Sequence, residues 1–147
     1  MDKPEYRIPS IEEIQKIKGT NGLNVASFFS GGGGSCLGFE MAGYKILSAS
    51  EFVEEARNTY SLNHEGTPVD GRDIRDLKAK DIFELAGTDQ IDVMEGSPPC
   101  AAFSTAGKRE RGWGKVNSYS DTEQRSDDLF LEFARLLVDV KPKVFVA

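Results

Sequence analysis

Four consecutive glycines, Gly31 to Gly34, stand between an apolar segment at residues 24–29 and a helix-forming segment at about 35–42. Glycine loses more conformational freedom on ordering than any other residue, so such a run marks a tight turn rather than the interior of a helix or strand. A buried strand, a glycine turn and a helix in that order open a βα unit. Everything downstream repeats the alternation, which predicts a parallel sheet with helices on both faces.

Upstream, Ser10-Ile11-Glu12-Glu13 has capping-box spacing, and Ile14 and Ile17 continue a helical period. A short helix is predicted from about Ser10 to Lys18, closed by Gly19 and a turn at Thr20-Asn21-Gly22. Strands are predicted at residues 24–29, 44–50, 69–70 and 91–95. Val53, Ala56 and Tyr60 share one helix face, and residues 81–86 form a second short helix. From Gly96 to about Gln124 the pattern is irregular, a length of loop that is usually functional or disordered. Ser126 then caps an amphipathic helix with Leu129, Phe130, Phe133, Leu136, Leu137 and Val140 on one side. Asp127 and Asp128 suit its positive end and Lys141 its negative end. Val144 to Ala147 reads as a further apolar strand.

Composition narrows the class. With 147 residues, 39% hydrophobic and 29% charged, one globular domain is expected. No apolar run is long enough to span a membrane, and the N-terminus has no secretory h-region. Two cysteines, Cys36 and Cys100, make no disulfide framework, which points to a reduced, cytoplasmic protein. The net charge of −6 disfavours a stand-alone nucleic-acid binder that works by bulk charge. Residues 1–23 are read as an arm carrying the short helix, and residues 24–147 as the domain proper.

Two places carry chemistry. The glycine turn is followed, twenty positions after Gly31, by Glu51 at the end of the next strand. A carboxylate so placed can accept from both hydroxyls of a ribose. The spacing Gly31-x-Gly33-Gly34-x-x-x-Gly38 departs from the dinucleotide pattern, and it suits a cofactor with an amino-acid moiety, such as S-adenosylmethionine, as well as one with phosphates. Asp73, beyond the third strand, can accept from an adenine amino group or simply shape a turn. The second place is Gly96-Ser97-Pro98-Pro99-Cys100. Its prolines pre-set the backbone at the carboxyl end of a strand, where ligands of open α/β sheets bind. A thiol presented there is a candidate nucleophile. Lys108, Arg109, Arg111 and Lys115 against Glu110 give the following segment a local charge of +3. Cys36, on a helix, reads as a buried structural thiol.

These residues together resemble the C5-cytosine DNA methyltransferases over residues 24–147. Phe29-Ser30-Gly31-Gly32-Gly33-Gly34 with Leu37-Gly38-Phe39-Glu40 is similar to the first motif of that family, Glu51 to the acid of the second and Asp73-Ile74 to the third. Gly96-Ser97-Pro98-Pro99-Cys100 with Phe103-Ser104 is similar to the fourth. Asp128-Leu129-Phe130 through Lys141-Pro142 is similar to the fifth. The resemblance implies a Rossmann-like S-adenosylmethionine-dependent methyltransferase fold, α/β with a mostly parallel sheet, incomplete at the C-terminus. It implies Cys100 as the nucleophile that adds to C6 of a flipped cytosine. It implies a cofactor site at Phe29, Ser30, Gly31, Gly33, Gly34, Glu51, Phe52, Asp73, Ile74, Pro98 and Leu129. It implies that Ser104, Lys108 and Arg109 belong to a loop that closes over double-stranded DNA.

Some positions depart from the pattern. Ser27 stands where the family commonly has an acid, and Ala101 where it commonly has glutamine. The chain also ends just before the expected Glu-Asn-Val motif, so a complementary C-terminal polypeptide is the expected partner. Rival readings are an inactive remnant serving as a binding module, a tRNA cytosine methyltransferase and a nicotinamide-dependent oxidoreductase. The last leaves Pro98-Pro99-Cys100 without a role.

Overall fold

The computed structural model describes residues 8–99, 116–119, 122–125 and 128–147. In chain order the elements are α1 (Ile11–Ile17), β1 (Asn24–Phe28), α2 (Gly34–Met41), β2 (Lys45–Ser50), α3 (Glu54–Asn63) and β3 (Val69–Asp70). They continue with α4 (Ala79–Ala86), β4 (Val93–Gly96), β5 (Val116–Tyr119), β6 (Thr122–Arg125), α5 (Leu129–Val140) and β7 (Val144–Val146). A 3-10 turn, Ile74–Asp76, sits between β3 and α4.

Strands β3-β2-β1-β4-β7 form one parallel sheet in that order. Alternation along β1 assigns its two faces. Val25 packs with Cys36, Ile46, Tyr60 and Val93 beneath α2 and α3. Ala26 and Phe28 pack with Met94, Ile82, Phe133 and Leu136 beneath α4 and α5. The chain is therefore a three-layer α/β fold with its core on both sides of β1 and β4, as the alternating pattern predicts. No helix among the described residues is long and apolar enough to cross a membrane.

Local rules explain most boundaries. Ser10 accepts from the Glu13 amide, and the Glu13 carboxylate accepts from the Ser10 amide at 2.8 Å, so α1 starts on a full capping box. Gly87, with φ +72°, ends α4 in a left-handed cap. The α5 face is as expected at Leu129, Phe133, Leu136 and Val140, which are buried, but Phe130, assigned to the same face, is half exposed.

Two expectations need correction. The stretch read as irregular contains an antiparallel pair, β5 with β6, running from Val116↔Arg125 to Tyr119↔Thr122. No period-two apolar pattern in Val116-Asn117-Ser118-Tyr119 or Thr122-Glu123-Gln124-Arg125 announces it. The α5 helix begins at Leu129 with Asp128 as its N-cap, while Ser126 and Asp127 lie outside the described residues.

Arg135 ties α5 to the loop that follows β3. Its Nη2 donates to the carbonyls of Ile74 at 3.1 Å and Leu77 at 3.0 Å, and its Nε donates to Glu132 at 2.7 Å. The Ile74 carbonyl also accepts from the Leu77 amide at 3.2 Å, so the guanidinium adds a second donor there and reaches on to Leu77. Arg135→Ala should destabilise the fold by about 1.5 kcal/mol, read as a shift of the urea midpoint without a change in slope. An unchanged midpoint would show that water replaces the guanidinium without cost.

Candidate functional site

The strand order reverses between β1 and β4, and at such a point the loops leaving the carboxyl ends diverge and open a crevice. The loops after β1, β2, β3 and β4 enclose a cavity of about 430 Å³ there. Phe29, Ser50, Glu51, Phe52, Val53, Ala56, Arg72, Ile74, Ser97 and Pro99 line it. Its size falls within the range that holds a small organic ligand.

Glu51 organises this crevice. It is 9% exposed, and its Oε2 accepts from the Gly31 amide at 2.8 Å while its Oε1 accepts from the Val53 amide at 2.8 Å. One carboxylate thereby holds the glycine turn and the start of α3 together. A carboxylate offers about four acceptor positions, so each oxygen keeps capacity for a further donor from a ligand. Phe29 has φ +53°, a left-handed conformation costly for a residue with a side chain. Its ring packs edge-on to Phe133, with centroids 6.4 Å apart, and forms part of the cavity wall. On β4, a Cβ at Gly96 would lie 2.7 Å from the Phe133 ring, so only glycine lets α5 pack against that strand end.

The remaining sequence-predicted residues are distributed differently. Phe52 and Ile74 line the cavity with Phe29 and Glu51. Asp73 instead caps the 3-10 turn: it accepts from the Arg75 amide at 3.0 Å and pairs with the Arg75 guanidinium at 2.8 Å. Arg75 in turn reaches Asp128 at the start of α5. Leu129 is fully buried in the core beside α5's other apolar residues, not on the cavity wall. Around Pro98 it is Ser97 and Pro99 that line the cavity.

Gly33 and Gly34 turn to the other side of the loop. They line a second cavity of about 380 Å³ with Ile14, Leu37, Glu40, Leu62 and His64. There His64 Nε2 lies 2.9 Å from the Gly33 carbonyl oxygen, its Nδ1 3.3 Å from Glu40, and Lys18 of the N-terminal arm 2.7 Å from the same carboxylate. Burial works to raise the Glu40 carboxyl, but His64 and Lys18 together outweigh it and hold it below its ordinary value. Cys100, Ser104, Lys108 and Arg109 lie outside the described residues.

Sequence reading missed Arg72, Ser50, Val53, Ala56, Ser97 and Pro99 as wall residues. All but Ala56, which lies in the first turn of α3, are within two positions of a residue it did name or of a strand end, so the rule that ligands sit at carboxyl strand ends could have found them. It also missed a buried polar chain beneath the glycine turn. Ser27 on β1 donates to Glu95 on β4, and Ser27 Oγ lies 2.8 Å from Ser30 Oγ. Burial pushes the Glu95 carboxyl above its ordinary value, against hydrogen bonds from Ser27 and Ser35 that pull it down.

Comparison with known proteins is consistent with this geometry. The Type II methyltransferase M.Sau96I of Staphylococcus aureus is 31% identical over 97% of this chain and 30% of its own length. The Type II methyltransferase M.NgoPII of Neisseria gonorrhoeae is 34% identical over 86% of this chain and 33% of its own. The chain thus spans about a third of the length of these curated relatives. A solved E. coli prophage-encoded protein described as a DNA modification methyltransferase superposes with a TM-score of 0.62 at 30% identity, covering 82% of this chain and 30% of that one. The family model for C-5 cytosine-specific DNA methylases matches residues 23–147, which hold all five strands of the parallel sheet, and the chain belongs to that family.

Proposed function

We propose that the chain carries the cofactor site and the nucleophile of an S-adenosylmethionine-dependent DNA cytosine-C5 methyltransferase, working with a complementary C-terminal polypeptide. The observation that supports it most is Glu51. Its carboxylate bridges Gly31 and Val53 at the carboxyl ends of β1 and β2 and keeps acceptor capacity facing a cavity of nucleoside size. Two ribose hydroxyls fit that capacity. Phe52 and Ile74 offer apolar surface for the adenine, and Phe29 closes the side next to β4.

When bound, S-adenosylmethionine supplies an electrophilic methyl group. Cys100 supplies what the substrate lacks, because an aromatic C5 is a poor nucleophile until a thiolate has added to C6. C5 then takes the methyl group, a base removes the C5 proton, and the electrons of that C–H bond expel the thiolate, which restores the ring and frees Cys100. Lys108 and Arg109, in the basic segment after Cys100, meet the phosphates of double-stranded DNA. Relatives named as Type II methyltransferases support a modification enzyme. A reduced, cytoplasmic setting is consistent with the free thiol of Cys36.

The test is a calorimetric titration of the chain with S-adenosylhomocysteine and, separately, with an oxidised nicotinamide dinucleotide. The expected result is saturable binding of the first and none of the second. Binding of the dinucleotide alone would replace methyl transfer by the oxidoreductase reading.

A further inference from the structure

Glu95 is 4% exposed, in the middle of a parallel strand, where a charged residue needs a reason to be. Its register partner on β1 is Ser27. Both side chains project to the α2 side of the sheet, and Ser35 stands in the first turn of α2. Ser27 has one proton and spends it on Glu95, an acceptor-only group when ionised. The Ser30 hydroxyl stands 2.8 Å from Ser27 Oγ and 3.3 Å from the Ser50 carbonyl oxygen, so it links Ser27 to the end of β2. Ser30 is the residue before Gly31, and its amide donates to the Ser50 carbonyl at 3.2 Å, which joins the loop to the cavity wall. A chain of hydroxyls therefore links the glycine turn to the buried Glu95 carboxyl.

We propose that Glu95 is a positioning residue for the glycine loop. Its buried carboxylate, acting through Ser27 and Ser30, holds the turn and makes the carboxyl end of β1 favour a ligand that carries positive charge. The inference rests on the cofactor reading and adds to it a preference for a sulfonium over the neutral thioether that remains after methyl transfer. It also accounts for Ser27, the position where the resemblance expects an acid: the charge sits one strand over, at the registered position of β4.

Glu95→Gln keeps the volume and the acceptor for Ser27 but removes the charge. With the variant, affinity for S-adenosylmethionine should fall by about tenfold, the effect of one charge at a partly screened distance, and affinity for S-adenosylhomocysteine by clearly less. The thermal midpoint should hold or rise, because a charge that burial opposes has been removed. Ser27→Asp in the Glu95→Gln background returns a carboxylate to the opposite strand and should restore the preference for the sulfonium. Unchanged affinity for both ligands overturns the inference. So does an equal loss of both accompanied by a lower midpoint, which would make Glu95 a structural residue only. A wild-type chain that binds neither ligand removes the cofactor reading, and this inference with it.

Discussion

Gly33→Ala should be the most damaging single substitution in the described structure, lowering stability by about 4 kcal/mol and the Tm on the order of 15 °C. Two independent causes add at this position. Gly33 has φ +90°, which L side chains rarely adopt, and it is the N-cap of α2, so the strain cannot be relieved without moving the helix. The new Cβ would also lie 2.2 Å from His64 Nε2 and 3.1 Å from the Tyr60 ring. Neither neighbour can yield. Tyr60 is fully buried, stacks on His64 at 4.6 Å and donates its hydroxyl to Cys36. His64 is held between the Gly33 carbonyl and Glu40. Urea denaturation measures the loss, and adding His64→Ala should recover part of it, because the clash and the imidazole disappear together. Strict additivity of the two variants would show that the backbone conformation alone carries the cost.

Glu51→Ala should have the largest effect on ligand binding. If both ribose hydroxyls donate to this carboxylate, two charge-assisted hydrogen bonds are lost, together about 3 kcal/mol, or roughly 100-fold in affinity for S-adenosylhomocysteine. The loss has a second source, because the Gly31 and Val53 amides lose their shared acceptor and the two loops are no longer tied. Glu51→Gln separates these contributions. It retains one acceptor oxygen, so the loss should be about tenfold, with the fold kept. Calorimetry on both variants, with far-UV circular dichroism to establish folding, reads the outcome. Binding by Glu51→Ala at wild-type strength would mean that the cavity is not a nucleoside site.

The parts of the site that were legible in the sequence are those governed by short-range rules. The glycine turn after a buried strand, and an acid at the next strand end, need only a parallel sheet to be brought together, and Phe29, Glu51, Phe52 and Ile74 do meet at one cavity. Asp73 and Leu129 show where such reasoning stops. Whether Asp73 faces a ligand depends on Arg75, which bends back to it and on to Asp128, more than fifty positions away. Leu129 follows that same aspartate in the chain, yet its helical phase carries it into the core.

What the sequence determined by itself is the order of the helices and of the parallel strands, though not the β5–β6 pair. Apolar periods of 3.6 and 2, the Ser10 capping box and the glycine stops are written in neighbouring residues, and local backbone energetics act on them without knowledge of the rest of the chain. Only the tertiary structure decided which residues of different strands stand side by side. Sheet order and register bring Ser27 against Glu95, sixty-eight positions apart, and a slip of one residue would have sent Glu95 to the opposite face of the sheet. Burial then acts on that pairing. The same carboxyl on an exposed edge would be an ordinary solvated charge, whereas between β1, β4 and α2 burial pushes it above its ordinary value beneath the glycine turn.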